Sequence, residues 1–91
     1  MARYIIERTF PDGLKFPTGA EGRKTAAKVG ETNASEGVNW VHSYVSDDDR
    51  VSFCVYDAPS PEAVRKVADR NGLPVDRITE VRVLDPNLYG D

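Results

Sequence analysis

The only histidine and the only cysteine of the chain stand in one run, WVHSYVSDDDRVSFCVYD, as His42 and Cys54. The only tryptophan, Trp40, opens that run. Imidazole and thiolate together suit a borderline-soft divalent ion such as nickel, copper or zinc. The same two groups make a thiolate–imidazolium nucleophile when a third residue orients them. The spacing H-x11-C is not a metal signature by itself, and no orienting residue or nucleophile turn accompanies it. On residue types alone, a packed interface histidine with an inert buried thiol is the simpler reading.

Which chemistry is available depends on the strands that carry these groups. Val38–Ser46 and Arg50–Asp57 are rich in β-branched and aromatic residues, and Asp47-Asp48-Asp49 between them has a turn composition. They read as a hairpin. Side chains alternate faces along a strand, so Trp40, His42 and Tyr44 share one face of the first strand. If Asp47–Asp49 is the whole loop, His42 lies opposite Cys54, Trp40 opposite Tyr56, and Tyr44 opposite Ser52. Val41, Val45, Val51, Phe53 and Val55 then gather on the other face. A two-residue loop shifts the register by one and mixes aliphatic with polar residues on both faces, so the odd loop is preferred. Directly opposed residues have Cβ atoms ~4.5–5.5 Å apart, close enough for one ion.

The remaining elements follow from local signals. Tyr4–Thr9 is a strand closed by Pro11-Asp12-Gly13. Glu21–Ser35 has Ala26, Ala27, Val29 and Ala34 at helical spacing, with Gly37 as the stop. The second helix starts at Ser60-Pro61, shows Val64, Val67 and Ala68 as an apolar stripe, and stops at Asn71-Gly72. Ile78–Leu84 is the last strand. The order β-α-β-β-α-β predicts an α+β, ferredoxin-like domain over residues 1–86, with a frayed tail at 87–91. Its four-stranded antiparallel sheet has both helices on one face, with the aliphatic set beneath them. The other face is bare, and the expected occupants are Trp40, Tyr44 and Tyr56 around His42 and Cys54. Three large aromatics on an uncovered face point to a homodimer in which two sheets meet.

Composition excludes several classes. The net charge of −3, with 15 acidic against 12 basic residues, lacks the basic footprint of a nucleic-acid binder. No run approaches the ~18 apolar residues of a membrane span, and MARYIIERTF lacks a secretory core, so a cytoplasmic protein is expected. One cysteine allows no internal disulfide. The triple aspartate lacks the glycine and glutamate of a calcium loop and reads as a solvated turn. Glu7 and Arg8 are adjacent on a strand and so face opposite layers, with Arg8–Glu80 or Glu7–Arg82 as the expected ion pairs.

The segments YIIERTF, NWVHSYVSDDDRVSFCVYDAPSPEAVRK and LPVDRITEVRVLDP resemble a family of small bacterial proteins. That family was once known only as a domain of unknown function and includes a nickel-binding member from actinobacteria. The resemblance spans about two-thirds of the chain and fails over residues 14–37. It implies a dimeric α+β barrel and nickel binding, other divalent transition metals being open. The matching positions able to ligate are Glu7, His42, Cys54 and Glu80. The expected function is therefore a small homodimeric metal-binding protein. Its ligands are His42 and Cys54, with Glu7 third, and Trp40, Tyr44, Tyr56 and Glu80 surround them. No catalytic residue is assigned. The alternatives are an aromatic-binding or cofactor-free monooxygenase-like barrel, and a plain dimerisation module.

Overall fold

The computed structural model describes residues 1–89. The elements run β1 (Ala2–Thr9), α1 (Gly19–Ser35), β2 (Asn39–Val45), β3 (Val51–Ala58), α2 (Pro61–Asn71) and β4 (Arg77–Val81). The sheet order is β2-β3-β1-β4, and every neighbouring pair is antiparallel. This is the ferredoxin-like arrangement expected. Pro86–Tyr89, which overlaps the segment 87–91 expected to fray, forms one 3-10 turn, and residues 90–91 lie outside the described residues. The last strand is shorter than its sequence pattern, so Val83 and Leu84 lie beyond it, exposed.

Helix α2 is specified locally and packed globally. Ser60 Oγ accepts from the Ala63 backbone N–H at 3.2 Å, and Pro61 fills the first helical position. Gly72 closes the helix in the left-handed region at φ 68°, where a side chain would be strained. Val64, Val67 and Ala68 are buried against Tyr4, Ile6, Cys54, Tyr56 and Ala58 of the sheet. That cluster is the core.

Helix α1 is seated differently. Its sequence GAEGRKTAAKVGETNAS offers small side chains, and its only buried residues are Gly22 and Asn33. It is tied to α2 by polar contacts. Glu36, at the end of α1, forms ion pairs with Lys66 at 3.2 Å and Arg70 at 3.1 Å, and Asn71 donates to Asn33 Oδ1 at 3.1 Å. Small residues allow a close approach at one end: a Cβ on Gly22 would collide with the backbone carbonyl of Pro17. Elsewhere along the helix they leave space above the sheet.

Two glycines of α1 therefore respond in opposite senses to alanine. Gly30 has nothing within 4 Å of an added Cβ, so Gly30→Ala should stabilise by about 1 kcal/mol through helix propensity. Gly22→Ala should destabilise despite the same propensity gain, because the Pro17 backbone must move. Thermal unfolding checks both, at ~4–8 °C per kcal/mol for a domain of this size.

Candidate functional site

The β2–β3 hairpin decides which groups meet. Its turn is built by Ser46 and Asp48. Asp48 Oδ1 accepts from Ser46 Oγ at 2.7 Å and from the Arg50 N–H at 3.1 Å, while Ser46 Oγ accepts from Val51 N–H at 3.0 Å. Asp49 completes the reversal in the left-handed region at φ 61°. The Ser46 N–H bonds Val51 O at 2.9 Å, so the loop is one residue longer than Asp47–Asp49. These hydrogen bonds hold the Asp48 carboxyl below the usual range, the Ser46 hydroxyl contributing most.

The register beside the turn is accordingly Tyr44↔Phe53, Ser43↔Cys54 and His42↔Val55. A bulge at Val41 then restores Trp40↔Tyr56, the one expected cross-strand pair that holds. The expected pairs His42–Cys54 and Tyr44–Ser52 do not form. A two-for-one bulge reverses face parity, and its signature is the bond from Trp40 Nε1 to Ser43 Oγ at 2.9 Å. Residues three apart share a face only across such an insertion.

His42 and Cys54 consequently point into opposite layers. Cys54, 8% exposed, lies in the core with Tyr56, and Trp40 packs against that core. His42 is exposed on the open face, edge-on to Tyr44 with ring centroids 5.1 Å apart. The shared His/Cys metal site is overturned, and the thiolate–imidazolium pair with it. The aliphatic partition is corrected too, since Phe53 and Val55 share the open face with His42 and Tyr44 while Val45 stays on the helix side.

Glu7 is on the open face, paired in register with Phe53 and Arg77, and its carboxylate is 3.9 Å from Arg77 Nε. It sits two strands from His42 and two residues along from it, ~11.5 Å by strand spacing and residue rise. Glu80 pairs with Tyr4 and therefore lies on the helix-side layer, where its charge adds to the burial that raises the Tyr4 hydroxyl's pKa. Arg3 closes a bidentate pair with Asp57 across β1 and β3, at 2.8 and 3.1 Å. A concavity of about 370 Å³ lies on this open face, lined by Arg3, Ile5, His42, Tyr44, Val55 and Val83 among others.

The larger cavity, about 500 Å³, lies on the opposite layer, with α1 for one wall. Phe10, Phe16, Val29, Trp40 and Leu73 supply apolar walls, and Cys54, Ser52, Tyr56 and Arg8 also face it. Nothing in the sequence pattern marked this space. The small side chains of α1 were the available signal.

Comparison with known proteins adds the lineage. The family model for SCO4226-like nickel-responsive proteins matches residues 4–81. The chain belongs to that family. A solved structure, SCO4226 from Streptomyces coelicolor A3(2), superposes with a TM-score of 0.71 at 21% identity, covering 92% of this chain and all of the other. No curated protein matches the chain. Among the described residues no helix is long and apolar enough to cross a membrane.

Membership of a nickel-responsive family puts the donor set to the test. Among the described residues no three of His, Cys, Asp and Glu converge. One chain's donors therefore do not by themselves make a transition-metal site, which needs four or more ligands.

Two measurements check this geometry. Cys54 should react slowly with a thiol reagent in the native protein and rapidly in denaturant, at a rate that His42→Ala leaves unchanged. The Arg3 hydrogen bond, opposed by desolvation and aided by the Arg3 charge, keeps the Asp57 carboxyl below its usual range. A depressed folded-state pKa stabilises above the unfolded value of ~3.9 and loses that contribution as pH falls through the folded one. The stability gap between wild type and Asp57→Asn should therefore close as pH falls below ~4.

Proposed function

We propose that the protein is a homodimeric nickel-responsive protein in which two copies pack open face to open face. His42 of each copy supplies imidazole to the ion at that interface. The observation that carries the reading is the position of His42, the chain's only imidazole, exposed on the one apolar surface that the helices leave uncovered.

Three considerations support a second copy as the cover. Tyr44 is 64% exposed and Phe53 37%, beside Ile5 and Val55, a grouping that water disfavours. The face also carries both signs of charge, Arg3 and Arg77 with Asp57 and Glu7, so it is complementary to itself under a two-fold axis. Finally, the core of a single chain lies wholly on one side of the sheet, and a domain of this size is marginal without further burial. Pairing doubles the donors near the axis, which meets the shortage within one chain. Glu7, on the same face, is the carboxylate for a further ligand, since Asp57 is held in the bidentate pair with Arg3. Cys54 has no part in the site.

The family match over residues 4–81 supports nickel as the ion. Neutral imidazole is the ligating form, so acid should release the metal together with proton uptake.

Titration of nickel into wild type, His42→Ala and Cys54→Ser tests the reading, with sedimentation reporting assembly. The expected result is a dimer that binds nickel, lost in His42→Ala and kept in Cys54→Ser. Equal affinity in wild type and His42→Ala would remove His42 from the site. Phe53→Glu should give monomers and weaken nickel binding with them. A dimer whose melting temperature nickel does not move would instead be a plain dimerisation module.

A further inference from the structure

A buried guanidinium without a counter-ion faces the apolar cavity beside α1. Arg8 is 1% exposed, yet none of the ion pairs among the described residues involves it. Parity on β1 sends Glu7 to the open face, and among the described residues neither Glu80 nor any other carboxylate pairs with Arg8, contrary to the sequence expectation. Its hydrogen-bond partners are neutral: Nη1 donates to Pro74 O at 3.0 Å and Nη2 to Tyr56 Oη at 3.1 Å, while Nε has no partner among the described residues. The guanidinium carbon stands 5.8 Å from the centroid of the Tyr56 ring.

Arginine cannot shed its charge in a protein, so the cost of burying it must be met by interaction. Two neutral acceptors and a ring face meet part of it and leave the Nε donor open. Among the described residues, the only other charged one lining the cavity is Lys15, also a cation, and no Asp or Glu lines it. The rest of the wall is uncharged, mainly aromatic or aliphatic with Thr25, Ser43, Ser52 and Asn71 as its polar members, and about 500 Å³ lies within the usual size of a small-molecule site.

We infer that this cavity binds a small aromatic monocarboxylate. The carboxylate is held by Arg8, and the ring lies among Phe10, Phe16, Val29 and Trp40. A carboxylate is the planar anion whose geometry a guanidinium fork matches, and it supplies the missing negative charge inside the apolar site. The ring accounts for the apolar walls. An inorganic anion would leave them unused. The inference is independent of nickel and of the dimer, since the cavity is on the opposite side of the sheet from His42.

The test uses 2-naphthoate, its uncharged analogue 2-naphthamide, and acetate, read by Trp40 fluorescence and by the shift in melting temperature. The expected result is at least tenfold tighter binding of 2-naphthoate than of either comparator. Val29→Trp fills the cavity from α1 without touching Arg8, and it should abolish 2-naphthoate binding while the fold and the oligomeric state persist. Arg8→Met should bind the acid no better than the amide. If Arg8→Met does not fold, the amide comparison and Val29→Trp decide between them. Equal binding of acid and amide, equal binding of acetate, no binding of 2-naphthoate, or unchanged binding in folded Val29→Trp would each overturn the inference.

Discussion

A β-strand alternates its side chains with a period of two, so one inserted residue exchanges the layers of everything beyond it. In this protein the insertion is Val41, and its complement is the extra residue in the Ser46–Val51 turn. The two compensate. Trp40 pairs with Tyr56 as it would in an unbulged hairpin, and the segment between them runs in the opposite parity. Within that segment lie His42, Ser43 and Tyr44. The longer turn is thus what sets the imidazole on the layer opposite the thiol, and the bulge, fastened by the Trp40–Ser43 hydrogen bond, returns Trp40 to the core side.

The two layers then acquire different chemistries from the same strands. On the open side, β1 contributes Arg3, Ile5 and Glu7, and β3 contributes Phe53, Val55 and Asp57. On the helix side, β1 contributes Tyr4, Ile6 and Arg8, and β3 contributes Ser52, Cys54 and Tyr56. Helix α2 closes half of the inner layer with valines. Helix α1, rich in glycine, alanine and threonine, does not fill the other half. The buried arginine sits where that filling fails.

Elements were legible in the sequence because their signals are local. The Ser60 cap, Pro61, the Val64–Val67–Ala68 stripe and Gly72 each act within one or two turns, and all of them stand in the structure as read. Register was not legible because it depends on contrast between faces, and this sheet has little. Ile5, Phe53, Val55 and Tyr44 make the uncovered face nearly as apolar as the covered one. Sorting aliphatic residues beneath the helices therefore selects the wrong parity. The turn gave no correction, since three successive aspartates fit a three- or a four-residue loop equally well. What separates the two is the Asp48 side chain accepting from both Ser46 and Arg50, a contact visible only in three dimensions.

The same reasoning limits what position matching can carry within this family. At 21% identity a four-stranded sheet with two helices persists, because burial and caps tolerate substitution. A bulge or a loop one residue longer leaves that fold in place, yet it moves a side chain from one side of the sheet to the other. Glu7, His42, Cys54 and Glu80 all fall in matching stretches, and they divide between the two layers: Glu7 and His42 outside, Cys54 and Glu80 inside. For these four residues the layer, not the aligned position, determines which can act together.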